Sequence, residues 1–237
     1  MLKNIIVFMT FLTTFNLLSA NEDSIAYLRD ESSSTGNIAD AVEQITGSRA
    51  WLNPDIKSIF EKKIVGPAVT VLMKPKITTA KIKNPPFHLE VLEESPKGSV
   101  IVYVMEDSEN IAAIGNLMTI TAKINNLEGF VIDGAARDIS AIKKLNFPVY
   151  TKKISPATSV GKMIPFAKNI PVICGDVTVN PNDIIVGDLD GVVVIPRKIL
   201  PQVVKLLRDF DNRESKMLPI IKEEKSILKA IEKFNRY

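Results

Sequence analysis

The chain has almost none of the residues on which much protein chemistry depends. It has one cysteine, Cys174, which excludes an internal disulfide framework and any cysteine-rich zinc site. It has one histidine, His88, which excludes every two-histidine metal motif and leaves little room for a histidine-based triad. There is one tryptophan, and the ten phenylalanines form no stripe on a basic face, so single-stranded nucleic acid is not an expected partner. Neither charge sign dominates: 30 Lys and Arg against 27 Asp and Glu leave +3, too small a surplus to argue for nucleic acid. No P-loop, no Gly-x-Gly-x-x-Gly and no Gly-x-Ser-x-Gly elbow occurs. Internal repeats and low-complexity segments are also lacking. What remains is an ordinary globular composition over 237 residues, 46% hydrophobic and 24% charged. That length can bury a core of its own.

Residues 1–20 read as a secretory signal. Lys3 supplies a positive start, residues 5–18 an apolar segment, and Leu18-Ser19-Ala20 a cleavage site. A transmembrane helix needs about twenty apolar residues, and Thr10, Thr13, Thr14 and Asn16 dilute this run. An uncleaved anchor or a buried amphipathic helix is the alternative. The expectation is export to a periplasm or outside the cell, with no stable membrane association after cleavage. A cytoplasmic location follows if the signal reading fails. In that setting Cys174 reads as a small buried hydrophobe.

Residues 21–35 are a polar, serine-rich lead-in, and residues 36–237 form the folded domain. Asn37 is placed to cap a helix over 38–46, which Gly47 ends. Residues 64–72 read as a strand pair broken at Gly66-Pro67. A short helix is expected over 87–94. Nearly continuous apolar runs at 99–105 and 129–133 read as strands covered on both faces. Helices are expected over 117–125 and 139–145, and a strand over 147–151. Three short strands follow at 172–179, 184–187 and 191–195. Residues 199–210 and 222–234 make an amphipathic helical tail that packs on its own domain or on a neighbouring subunit. Strand and helix alternate over 99–151, so the fold class is α/β with right-handed crossovers: one compact domain with a helical C-terminal arm.

Three features could carry chemistry. Gly115-Asn116-Leu117-Met118 opens a helix, where free backbone N–H groups can bind a carboxylate. Arg137-Asp138 follows an apolar strand, at the end of a strand where α/β proteins place ligands. There Arg137 can clamp a carboxylate and Asp138 can hold a hydrated divalent cation. Equally, Asp138 can cap the next helix and Arg137 can pair with a surface acid. Asp183, Asp188 and Asp190 lie close together, but their spacing departs from the EF-hand loop and Asp190-Gly191 reads as a hairpin turn. His88, beside Phe87 and Leu89, reads as a packed group.

Taken in order, these segments resemble one known family. Ile38-Ala39-Asp40-Ala41, Val65-Gly66-Pro67-Ala68-Val69-Thr70, Gly115-Asn116-Leu117, Gly129 to Gly134, Arg137-Asp138 and Phe147-Pro148-Val149-Tyr150 match the RraA-like / 4-hydroxy-4-methyl-2-oxoglutarate aldolase (dimethylmenaquinone methyltransferase-like) family. The likeness continues through Val179-Asn180-Pro181-Asn182-Asp183 and Gly187 to Pro196, and covers roughly residues 36–220. The resemblance implies a swivelling β/β/α-type domain assembled as a homotrimer or a dimer of trimers, with sites between subunits. It implies a Mg²⁺- or Mn²⁺-dependent lyase that cleaves or decarboxylates small 2-oxo di- or tricarboxylic acids to pyruvate, oxaloacetate included. Substrate would lie on Gly115, Asn116, Leu117, Met118 and Arg137, the metal on Asp138. Lys162 and Glu214, the latter from a neighbouring subunit's tail, are the nearest matches to two further catalytic residues. The resemblance equally implies non-catalytic regulators of ribonuclease E, and an exported oxo-acid-binding protein is a further alternative. One departure stands out: where the aldolase pattern has an acid twenty residues before Arg-Asp, this chain has Asn116. Its carboxamide adds no charge to hold a cation. A second, Asn182 in place of glycine, sits where asparagine tolerates positive φ.

Overall fold

The computed structural model describes residues 22–30, 33–77 and 86–234. The signal reading over 1–20 lies outside them. Residues 22–29 form helix α1, followed by α2 (Thr35–Thr46), β1 (Lys57–Ser58), β2 (Ile64–Pro75), α3 (Phe87–Glu94), β3 (Val100–Met105) and β4 (Ala112–Ile114). Then come α4 (Asn116–Ile124), β5 (Gly129–Ala136), α5 (Ile139–Leu145), β6 (Val149–Ile154) and β7 (Met163–Lys168). β8 (Val172–Cys174), β9 (Val177–Val179), β10 (Ile184–Gly187), β11 (Val192–Ile195), α6 (Leu200–Glu224) and α7 (Ile227–Phe234) complete the chain.

Nine strands make one mixed sheet in the order β1-β6-β5-β3-β2-β10-β11, with β4 paired to β5 and β7 to β2. Its centre, β2-β3-β5-β6, is parallel. Both faces of that centre are covered, which is why β3 and β5 read as unbroken apolar runs. On one face Ile101, Tyr103, Phe130 and Ile132 pack with Ile142 and Phe147, the Phe130 and Phe147 rings lying 5.2 Å apart. On the other, Val102, Val131 and Tyr150 meet Leu52, Ile56 and Cys174. A third cluster joins α1, α2 and α6 to the β10–β11 hairpin through Leu28, Ile38, Val42, Val203 and Leu207.

Several expectations change. The strand pair at 64–72 is one strand, β2, that changes neighbours at Gly66-Pro67. Ile64 to Pro67 pair antiparallel with β10, and Ala68 to Met73 pair parallel with β3. A side chain at Gly66 would put its Cβ 2.1 Å from the Gly98 carbonyl oxygen, so glycine lets the strand pass. Helix α2 starts before Asn37: Ser34 is its cap and accepts a hydrogen bond from the Asn37 N–H at 3.2 Å, while Gly47 ends it at φ +67°. Most of the described lead-in is helical rather than loose. In α1, Leu28 is fully buried, the Tyr27 hydroxyl donates to Asp211, and Arg208 lies 4.7 Å from the Tyr27 ring centroid. The tail's first helix runs through Pro219 for 25 residues, and its Val203, Leu207 and Phe210 pack on the chain's own domain. Strands β1, β4 and β7 are additional; β1 and β4 are only two and three residues long and β7 carries Pro165, so none gives a clear periodic signal. Asp190-Gly191 lies in the connection of the β10–β11 hairpin, as the turn reading has it. No helix among the described residues is long and apolar enough to cross a membrane.

Candidate functional site

The site is built where β4 and β5 end. Strand β5 delivers Arg137 and Asp138 directly before α5, and β4 delivers Gly115 and the first turn of α4. The Arg137 N–H donates to the Ile114 carbonyl at 3.1 Å, which ties the two strand ends together. Asp138 stands at the N-cap of α5 with φ +60°, a conformation that aspartate tolerates better than most residues. Its side chain makes no cap to α5. Instead Asp138 Oδ2 accepts a hydrogen bond from the Asn116 N–H at 2.9 Å, so it caps α4, the helix across the site. Oδ1 has no hydrogen bond among the described residues.

Gly115 makes this possible. Its backbone is extended, so the requirement is space: a Cβ would lie 2.6 Å from Asp138 Oδ2 and 3.0 Å from Arg137 Nε. In the first turn of α4 the Thr119 N–H already bonds the Gly115 carbonyl. Helical geometry leaves the Leu117 and Met118 N–H groups without an intrahelical acceptor, at the positive end of the helix dipole. Arg137 Nε lies 3.9 Å from Asp138 Oδ2, and both side chains are two-fifths exposed, so this is a weak, solvent-screened pair with donors to spare.

These groups open onto a cleft of about 460 Å³. One wall is α4, with Leu117, Met118 and Thr121; the floor is Gly115, Arg137 and Asp138; the opposite wall is α3, with Leu89, Leu92 and Glu93. A shallower groove beyond Asn116 and Asp138 runs over Ser140 and Ala141. Six sequence-predicted residues, Gly115, Asn116, Leu117, Met118, Arg137 and Asp138, therefore come together. Lys162 does not join them within one chain: it ends a turn, its N–H bonding the Ser159 carbonyl and its own carbonyl accepting from the Lys76 N–H. Glu214 lies on α6, where Asn37 Nδ2 donates to its Oε2 at 3.3 Å. Leu89, Leu92 and Glu93 escaped the sequence reading. They occur at i, i+3 and i+4 on one face of α3, but only the contact of α3 with α4 makes that face a wall.

The other candidates are structural. Asp188 accepts from the Thr35 N–H and hydroxyl at 2.8 and 2.6 Å, and buried Asp183 accepts from the Asn180 and Arg197 N–H groups at 2.9 and 3.2 Å. Asn182 has φ +70°, as its type allows. Among the described residues no group of three or more His, Cys, Asp or Glu side chains could hold a metal ion. Asp133, in the strand before the Arg-Asp pair, locks the β8–β9 hairpin onto the sheet by accepting from the Gly175 N–H at 2.8 Å. His88 is half-buried, its Nδ1 has no partner, and burial lowers its pKa. Cys174 is fully buried, and burial pushes its thiol pKa far up, as in an inert core cysteine.

At its strand ends the mixed α/β sheet thus sets an Arg-Asp pair against a helix N-terminus in one cleft. The RraA-like model (Aldolase/RraA) matches residues 35–194, and the chain belongs to that family. A protein of Halalkalibacterium halodurans, named provisionally as a 4-hydroxy-4-methyl-2-oxoglutarate aldolase, is 36% identical over 186 residues, covering 75% of this chain and 81% of its own. A crystal structure from Pseudomonas syringae pv. tomato superposes with a TM-score of 0.80 at 25% identity, over 90% of this chain and 94% of the other. RraAS2 of Streptomyces coelicolor, described as an unusual member of the RNase ES inhibitor RraA protein family, superposes at 0.70 with 25% identity, over 80% and 93%. The fold is thus the RraA-like α/β fold with a helical C-terminal arm.

Proposed function

We propose that the protein is a divalent-metal-dependent lyase that acts on small 2-oxo acids and releases pyruvate. The observation that carries this reading is the convergence of Arg137, Asp138 and the open N-terminus of α4 on one cleft. The Leu117 and Met118 N–H groups suit a 1-carboxylate, and the remaining donors of Arg137 suit the same carboxylate or the 2-oxo oxygen. The donor set fits a hydrated Mg²⁺ or Mn²⁺: Asp138 keeps Oδ1 uncommitted, and Asn116, which lines the same cleft, carries a carboxamide able to accept from a bound water. When bound, such a cation supplies polarisation of the 2-oxo group and stabilises the charge that develops as the C–C bond breaks. Gly115 keeps the floor open, and the Asn116 N–H holds Asp138 in place.

The family resemblance extends the proposal to a homotrimer with sites between subunits, to which Lys162 or a neighbour's Glu214 contributes, and the signal reading of residues 1–20 extends it to export. A non-catalytic binding or regulatory role is the second reading. Asn116 favours it, because the family's acid is missing there, and so does the structural likeness to an RNase inhibitor family.

Pyruvate release from oxaloacetate and 4-hydroxy-4-methyl-2-oxoglutarate, with Mg²⁺, Mn²⁺ or chelator, separates the two. Metal-dependent turnover that falls at least about a hundredfold in Asp138→Ala is expected. A silent parent that gains turnover in Asn116→Asp selects the binding role. Silence of both overturns the lyase reading.

A further inference from the structure

The peptide group between Gly115 and Asn116 is held from both sides. Its N–H donates to Asp138 Oδ2 at 2.9 Å. Its carbonyl accepts twice from Thr119, from the backbone N–H at 3.1 Å and from the side-chain hydroxyl at 3.0 Å. The backbone bond belongs to any helix. The hydroxyl bond does not, and Thr119 is fully buried, where a hydroxyl must find its partner inside the protein. Glycine makes such a hold necessary. A Cβ at position 115 would lie 2.6 Å from Asp138 Oδ2, so the site needs glycine there. Glycine is also the residue about which the flanking peptide groups turn most freely. The preceding peptide group is fixed by the Arg137 N–H, which donates to the Ile114 carbonyl at 3.1 Å. The following one depends on Thr119 and Asp138.

We propose that Thr119 is a positioning residue, which holds the Asp138 carboxylate at the floor of the cleft through the Gly115–Asn116 peptide group. The inference rests on the reading of Asp138 as the metal-holding residue. It adds a residue that touches neither metal nor substrate. Hydrogen bonds in series polarise one another, so the two bonds on the Gly115 carbonyl make the Asn116 N–H a stronger donor to Asp138. Groups that orient a metal-holding side chain govern metal affinity alongside the ligand itself.

The test pairs two substitutions in the full chain. Thr119→Val keeps the branched shape and removes the hydroxyl. The Gly115 carbonyl keeps its backbone bond, so no buried acceptor is orphaned and the thermal midpoint should hold. Thr119→Ser keeps the hydroxyl and deletes a buried methyl, so its midpoint should fall. Mn²⁺ affinity, titrated without substrate, should follow the opposite order: about three- to tenfold weaker in Thr119→Val and close to wild type in Thr119→Ser. The Asn116 amide proton resonance, read without metal, should move upfield in Thr119→Val alone, as its bond to Asp138 weakens. A merely structural Thr119 requires affinity to track the midpoint in both variants. That pattern, or wild-type Mn²⁺ affinity in Thr119→Val, overturns the proposal. If the wild type binds no Mn²⁺, the metal reading falls and the amide resonance decides alone: a shift confined to Thr119→Val upholds the positioning of Asp138, and its absence overturns it.

Discussion

At Gly115 a single methyl group is enough to disturb the cleft. In Gly115→Ala the new Cβ would meet Asp138 Oδ2 at 2.6 Å and Arg137 Nε at 3.0 Å, and both side chains end in solvent, so they swing away rather than break the fold. The expected result is a stability loss of only about 1–2 kcal/mol, from overpacking and the lost Asn116 N–H bond. Mn²⁺ affinity should fall together with any lyase activity, as read by titration and by the thermal midpoint. A variant that keeps both would remove Gly115 from the site. At this scale the sequence was partly legible. Gly115 to Met118 and Arg137-Asp138 are contiguous in the chain, and their chemistry is visible in their types. Asp138 shows where that stops. Its position announces a cap for α5, while its carboxylate serves α4, because φ +60° turns it across the site. Leu89, Leu92 and Glu93 share a helical spacing, but that they wall the cleft depends on which helix faces α3.

Helices α1 and α6 meet through a pair whose strength depends on pH. The Tyr27 hydroxyl donates to Asp211, and burial, followed by that hydrogen bond, pushes its pKa up to about 12. The unfolded chain has a tyrosine pKa of about 10, so the protonated, hydrogen-bonded phenol is the form that folding favours. Its contribution is complete below pH 10 and is lost as the pH rises toward about 12. Tyr27→Phe should cost about 1 kcal/mol near neutrality and flatten that part of the alkaline loss. Buried Tyr103 and Tyr150, also shifted upward, still supply theirs. Denaturant midpoints at pH 8 and pH 11 for the two proteins check it, and an equal alkaline drop in both would count against the assignment. Elements with a clear apolar signal, such as the unbroken runs of β3 and β5, were legible. Helix α1 was not: its polar and serine-rich setting hid the two residues, Tyr27 and Leu28, that dock it.

For the whole molecule, the outward faces beside the cleft are the open question of assembly. Leu117 is 79% exposed and Ile124 72%, two turns apart on α4, and Leu117 also lines the cleft opposite Leu89. Apolar groups in such a row are what a second copy would cover in the proposed homotrimer. Leu117→Asp should therefore lower the mass measured by light scattering, with the protomer still folded. A wild type that runs at the 26.2 kDa of one chain would end the trimer proposal. Fold class was legible at this scale because α/β alternation is written along the chain. The order of strands was not, since β10 and β11 join the sheet through pairing that no local pattern encodes.

Strand β2 also sets a timetable. Its second half pairs with β3, which follows within some thirty residues, whereas its first half pairs with β10, Ile184 against Pro67 and Gly187 against Ile64. During synthesis, residues 64–67 emerge long before their antiparallel neighbour exists, and the closing of so long a loop is the kind of step that slows folding. The core around Leu28, Ile38 and Val203 needs that same hairpin and α6, so α1 and α2 can complete their packing there only once the carboxyl-terminal helix has been made.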